Sequence, residues 1–306
     1  MAEKVITPDL VALRPGVRGH RGRGVARTRS LLGVVPFFAY VTIFLIIPTL
    51  VVVIGAFASD QGGFTLANLA ALREAYILQA FGRSILLSAV TAVIGAVFGA
   101  LLAYALVTAK PGGLLRRAVT AASGVLAQFG GVTLAFAFIA TIGLSGFVTV
   151  FLRDDLGIDP YAGGVWLFEL PGLILVYTYF QIPLMVIVFL PALDGIRPQW
   201  REAAESLGGT TWTYWIRVAG PLLLPSFLGS TLLLFANAFS AYATAAALVS
   251  QGNPIIPLQI RGALTSEVLL GQQNLGKAMA LGMVVVVAVV MTLYALLQRR
   301  TARWLA

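Results

Sequence analysis

The residues best placed to do chemistry lie in a short polar island, Trp200 to Pro221, reading WREAAESLGGTTWTYWIRVAGP, between two long apolar runs. Glu202-Ala203-Ala204 is followed after three residues by Gly208 and after nine more by Val218, with Pro221 closing the segment. Pro198 can start a helix that residues 199–207 favour, and Gly208-Gly209 ends it. Arg201 and Glu202 fall in its first turns, where the carboxylate suits the helix dipole. Ala203 and Ala204 keep one face narrow, and Leu207 offers an apolar anchor one turn further on. Such a helix is suited to entering a groove on a partner, so its chemistry is docking and not bond making. Thr210 or Thr211 can cap a second helix that carries Trp212, Tyr214 and Trp215 as an interfacial aromatic belt. An ordinary helical hairpin, with alanines chosen for propensity, is the competing reading.

Catalytic groups are poorly supplied. The sole histidine, His20, sits in a basic tail, and zero cysteines leave no disulfide, thiolate metal site or cysteine nucleophile. Acids gather in loops (Asp154, Asp155, Asp159, Glu169), and there is no GxxxxGK[ST] phosphate loop. Polar side chains do occur inside apolar runs: Gln128 beside Gly130-Gly131, Tyr177, Tyr179 and Gln181 ahead of Pro183, then Asn237, Ser240, Tyr242 and Thr244. These are candidates for lining a translocation path. For each, an interhelical hydrogen bond or a packing notch is the other reading. Tyrosines can also hold ammonium groups through cation–π contacts.

The elements that must position these residues are membrane spans. Hydrophobic residues make up 59% of the 306 residues and charged ones 11%, with mean hydropathy +0.91, which excludes an ordinary soluble domain. A hydrocarbon core of about 30 Å needs roughly 20 apolar residues as a helix. The runs Leu31–Phe57, Ser84–Thr108, Val119–Phe151, Gly172–Leu193, Leu222–Val249 and Ala278–Leu297 meet that length, so the chain reads as all-α and polytopic with about six transmembrane helices. The third run is long for one helix and is expected to tilt or to leave the membrane at its ends. Pro183 is able to break the fourth.

With the N-terminus inside, Lys4, Arg14–Arg29, Lys110, Arg116, Arg117, Arg197, Arg201, Arg217, Arg299, Arg300 and Arg303 fall on one side, against Arg73, Arg83, Arg153, Arg261 and Lys277 on the other. This positive-inside bias places both termini and the polar island in the cytoplasm of a multi-pass plasma (inner) membrane protein. The net charge of +9 therefore flanks spans and implies lipid headgroups, with no nucleic-acid partner. Residues 1–30 read as a disordered basic tail, 31–298 as the membrane domain and 299–306 as a second cytoplasmic tail. On the outer side, Thr65 can cap a short surface helix, Asp159-Pro160 and Gly163-Gly164 read as turns, and Ile255, Ile256, Leu258 and Ile260 as a shallow re-entrant or interfacial piece. The spans hold no ionisable relay away from their ends, which argues for an energy source outside this chain.

The Glu-Ala-Ala, three residues, Gly, nine residues spacing resembles the EAA loop of permease subunits in binding-protein-dependent ABC importers. That family closes with Ile-any-Leu-Pro, where Val218-Ala219-Gly220-Pro221 replaces the Leu by Gly. The resemblance implies a type I importer permease fold, with 198–221 as the coupling segment and Arg201, Glu202, Ala203, Ala204, Leu207 and Gly208 meeting an ATPase. It also implies partners: two ATPase subunits that carry the ATP and Mg, a second homologous permease, and an extracytoplasmic binding protein. This chain would bind no cofactor and catalyse no reaction. The stretches Tyr177–Pro183, Pro191–Asp194 and Phe235–Thr244 are similar to spermidine/putrescine permeases, which implies a polyamine cargo. Sugar, phosphonate, thiamine or ferric ion are the alternatives within the class, and an ion-coupled carrier lies outside it.

Overall fold

The computed structural model describes residues 34–59, 62–110, 112–249, 255–265 and 273–302, with the last six as backbone. The basic stretch 1–30 and much of the segment 250–272 lie outside the described residues. The chain divides into two compact units, residues 1–51 and 52–306. In the first, the described residues from Val34 onward are helical, with a π turn at Thr42–Ile46. Their large side chains, Phe37, Phe38, Tyr40 and Phe44 among them, are exposed, as suits a helix surrounded by lipid. These residues belong to the 23-residue helix Val34–Ala56 (α1).

The second unit continues with α2 (Ala67–Ala71), α3 (Ala75–Thr108), α4 (Leu114–Gln128), α5 (Gly131–Ile142), α6 (Phe147–Asp155) and α7 (Leu170–Asp194). Then follow α8 (Pro198–Ser206), α9 (Thr211–Ser240), α10 (Ala243–Leu248), α11 (Ile256–Thr265) and α12 (Gln273–Ala302). Among the described residues, six stretches are long and apolar enough to cross a membrane: α1, α3, Gly131–Asp155, α7, α9 and Gln273–Leu296.

Three sequence expectations change. α3 begins at Ala75, ahead of Ser84. Its 34 residues, at about 1.5 Å each, exceed the roughly 30 Å apolar layer, so the end bearing Gly82 and Arg83 can project beyond it. The third run, Val119–Phe151, is divided among α4, α5 and α6, with interruptions at Phe129-Gly130 and at residues 143–146. The fifth run begins at Thr211, passes through a π turn at Trp215–Ala219, and breaks at Ala241–Tyr242 before α10. By contrast, Pro183 does not break α7, which runs uninterrupted with Pro183 and Pro191 inside it.

The core is built on α3 against α7, with α9 packed on both. Small residues permit the approach. A Cβ on Gly95 would come within 2.6 Å of the Gln181 Cβ, and one on Gly99 would collide with Met185 and reach 2.7 Å from the Ile182 carbonyl. Inward-facing hydroxyls on α3 are satisfied locally: Ser88 donates to the Ser84 carbonyl at 2.7 Å and Thr91 to the Leu87 carbonyl at 2.8 Å. Ser84 Oγ also accepts the Ile256 N–H at 2.8 Å, which ties the start of α11 to α3. Of the shallow re-entrant or interfacial piece that the sequence suggested, Ile255 and Ile256 are buried in the bundle, which is not an interfacial position. Thr65 does act as a local cap, accepting the Ala67 N–H at 3.1 Å ahead of α2.

α4 and α5 together run antiparallel to α7. Arg116 near the start of α4 meets Asp194 at the end of α7, and Leu134 and Ala135 of α5 share a core with Leu173 and Val176 near the start of α7. The break at Phe129-Gly130 thus lies about halfway along this pair.

Replacing Gly99 by leucine forces a side chain against Met185 and the Ile182 backbone. We expect a loss of about 1–3 kcal/mol or more from overpacking, read as a lowered thermal unfolding midpoint of the full chain in detergent.

Candidate functional site

Two constellations emerge, one on the exposed segment between α7 and α9 and one inside the bundle. In the first, Arg197 is extended and Pro198 opens α8. The helix closes when the N–H groups of Leu207, Gly208 and Gly209 collect the carbonyls of Ala203, Glu205 and Ala204 at 3.2, 2.9 and 2.9 Å. Gly208 sits at φ +77°, a left-handed geometry in which a side chain is strained. Arg201 Nε donates to Glu205 Oε1 at 2.9 Å, four residues on. That hydrogen bond and the Glu205 charge raise the guanidinium pKa further above its already high value.

Glu202 is left without a hydrogen-bonding or ionic side-chain partner among the described residues, and it is exposed. Ala203 is exposed and Ala204 half-buried, while Leu207 is 89% exposed, an unusual state for a leucine outside the apolar layer. A free carboxylate, a narrow alanine face and a bare leucine thus lie together on one short helix and its C-cap.

Thr210, not Thr211, caps the next helix by accepting the Thr213 N–H at 3.3 Å. Of the three expected belt aromatics, Trp212 is 74% exposed, but Tyr214 is buried and Trp215 stands edge-on to Tyr104 at 5.3 Å. Tyr214 and Trp215 turn inward because they close the end of the core beside α3. The sequence reading missed Arg116 as a structural partner. Its Nη2 lies 2.7 and 2.6 Å from the two Asp194 oxygens, pinning the end of α7, four residues before Pro198, to α4.

The second constellation lies where two helix breaks face each other. Asn237, Ser240, Tyr242 and Thr244 line one cavity of about 220 Å³ with Ala127, Gly130, Gly131, Phe180, Ala241 and Ala243. The other path candidates are placed differently. Gln181 is fully buried and donates from Nε2 to the Leu234 carbonyl at 2.7 Å, while its Oε1 faces Asn237 Nδ2 at 3.5 Å. Tyr177, also fully buried, donates its hydroxyl to the Ala241 carbonyl at 2.7 Å. Both are pins between α7 and α9, and Tyr177 satisfies a carbonyl at the break. Tyr179 packs edge-on against Phe138 and lines a separate cavity of about 280 Å³ with Phe129, Leu134 and Thr141. Gln128 is exposed at the end of α4 and does not line the 220 Å³ cavity.

The sequence reading also missed Arg261 of α11, taken as an outer-loop charge. Its Nη1 donates to the Tyr242 hydroxyl, and its guanidinium carbon lies 5.7 Å from the centre of that ring. No spacing rule could have paired residues on two separate elements.

No protein-family model matches the chain. It is 30% identical over 183 residues to a probable sulfate transport system permease protein, cysT, of Marchantia polymorpha, covering 58% of each. It is 25% identical over 205 residues to the putative ferric transport system permease protein FbpB 1 of Haemophilus influenzae, covering 65% of this chain and 31% of that one. The chain thus spans about three fifths and one third of these curated relatives. In fold, it superposes with a TM-score of 0.73 on a chain of a bacterial alginate ABC transporter, solved in complex with an alginate pentasaccharide-bound periplasmic protein. That match has 18% identity and covers 92% of this chain and 98% of the other. The all-α architecture with six candidate spans is therefore one that ABC transporters use.

Gln181→Leu removes the donor to a buried carbonyl. We expect roughly 1–3 kcal/mol of destabilisation, measured by thermal or denaturant unfolding of the purified chain, with Asn237→Ala costing less because its bond is long.

Proposed function

We propose that this chain is a permease subunit of an ATP-driven importer, contributing half of a translocation path and catalysing no reaction itself. The observation that carries this reading is the α8 surface: an exposed Leu207, an unpaired Glu202 and a narrow Ala203-Ala204 face, held between two spans by Pro198 and Gly208. The likeness to transport permeases and to an ABC transporter chain supports it. The partners are then two ATPase subunits that dock on α8 and hold the ATP and Mg, a second permease that completes the path, and an extracytoplasmic binding protein. The chain sits in the inner membrane with both termini in the cytoplasm, as its Lys and Arg distribution favours.

Movement of the docked ATPases would reach the bundle through the two ends of the segment. On one side, α7 is clamped at Asp194 by Arg116, and on the other, α9 runs without a break from Thr211. A rigid lever of this kind suits rocking between inward and outward access. A polyamine cargo fits the cavities less well than the sequence suggested. Among the described residues no acid lines the 220 Å³ cavity, the Tyr177 hydroxyl is committed to a carbonyl, and Tyr242 already carries the Arg261 guanidinium. Among the described lining residues, a cation would find no counter-charge.

Gentle-detergent purification of the tagged chain from its native membrane should co-purify an ATPase, a second permease and a binding protein. In the reconstituted assembly, Glu202→Ala and Gly208→Val should cut ATP-driven uptake at least about ten-fold while leaving insertion intact. Recovery of the chain alone, with solute transport in ATP-free vesicles, would overturn the proposal.

A further inference from the structure

Two arginines join distant elements of this bundle, and they do so in different ways. Arg116 grips Asp194 through two charge-assisted hydrogen bonds of 2.7 and 2.6 Å. Arg261 instead meets a neutral partner. Its Nη1 donates to the Tyr242 hydroxyl, and its guanidinium carbon lies 5.7 Å from the centre of that ring. Among the described residues no carboxylate pairs with Arg261. A contact of this kind is weaker than a bidentate carboxylate pair, and an exposed guanidinium can exchange it for water. The first arginine is built to hold, the second to release.

The position of Tyr242 gives release a consequence. α9 ends and α10 begins here: Ala241 is extended, at ψ 111°, and Tyr242 returns toward helical angles ahead of Ala243. The break lies at the wall of the 220 Å³ cavity, which Tyr242 and Thr244 both line. Beyond it, Ala245 and Leu248 of α10 pack with Leu134 and Ala135 of α5. α11 is anchored elsewhere. Ser84 of α3 holds its Ile256 N–H, and Ile256 and Ala263 share a core with Ile77 and Ala80 of α3 and with Leu275 and Met279 of α12. Leu258 adds an apolar contact toward the α10 side, and the polar link from α11 to the break is the Arg261–Tyr242 pair. A short interruption at an element end can absorb a change of backbone angles and so act as a hinge. Tyr177 holds the α9 side of this one through the Ala241 carbonyl, and Arg261 holds the α10 side.

With α8 in the cytoplasm, α9 ends toward the outer side, and α11, between α9 and α12, lies there too. We propose that Arg261 and Tyr242 form a clasp on the extracytoplasmic side of the path, closed while the α9–α10 hinge is shut and broken when α10 swings to admit solute. This rests on the permease reading and adds to it the contact that guards the outer opening.

The chain contains no cysteine, so a single introduced thiol reports opening without background from this subunit. Thr244→Cys places it two residues after Tyr242, at a position only 2% exposed. The full chain with its co-purifying partners is reconstituted in vesicles without ATP. A maleimide that cannot pass the bilayer is added on the extracytoplasmic side, and labelling of this chain is followed by mass. Labelling is expected to be slow in this background and at least about ten-fold faster after Arg261→Ala. Tyr242→Leu, which removes the same contact from the other partner, should match it. The double variant should label no faster than either single one, because one contact cannot be lost twice. General loosening of the fold would instead make the two effects multiply. Unchanged labelling in Arg261→Ala, rapid labelling before either change, or multiplied effects in the double variant would each overturn the clasp. If uptake still depends on Glu202 in that event, only the clasp falls and the importer reading stands.

Discussion

The contact on which the rest depends is the close approach of α3 to α7 at Gly95 and Gly99. In lipid, helices gain little from hiding apolar surface from one another, so association rests on van der Waals contact and on hydrogen bonds between backbones and side chains. Removing two Cβ atoms lets the α3 backbone lie directly on Gln181, Ile182 and Met185. That placement also aims the Gln181 amide at the Leu234 carbonyl of α9, making one residue the meeting point of three helices. Because the triad is fixed there, α4–α5 and α9–α10 can be interrupted at their middles without the bundle opening.

Those interruptions are paid for locally by named partners. The Ala241 carbonyl, released where α9 stops, is taken by Tyr177; the Tyr161 hydroxyl takes the Ile142 carbonyl at 2.5 Å where α5 stops.

The sequence was most legible where hydrophobicity alone decides. Apolar runs of sufficient length gave the spans, and Pro198 and Gly208, with a cap at Thr210 or Thr211, marked the boundaries of the exposed segment through backbone rules that need no tertiary context. The breaks were hidden because hydropathy reports preference for lipid, not dihedral angles. Gly130-Gly131 was at least visible as a pair, but Ala241-Tyr242 contains neither glycine nor proline. The Arg116–Asp194 pair joins positions 78 residues apart, and the Arg261–Tyr242 pair joins two separate elements. Nothing in a linear pattern selects either. Tyr214 and Trp215 were misplaced for a related reason: aromatic residues near the end of a span suit the headgroup region and a bundle edge equally well.

The π turn at Trp215–Ala219 sets an angular relationship within a single continuous element. Such a turn holds one residue more than α winding requires, so the stretch before it is rotated against the stretch after it. With 3.6 residues per turn, deleting one residue there would swing Thr211–Tyr214 by about 100° around the helix axis. The compass bearing of the exposed Trp212 and the buried Tyr214 relative to the rest of α9 is thus set by one inserted amino acid. A one-residue insertion or deletion would change which of these aromatic side chains faces inward, with no change to the side chains themselves.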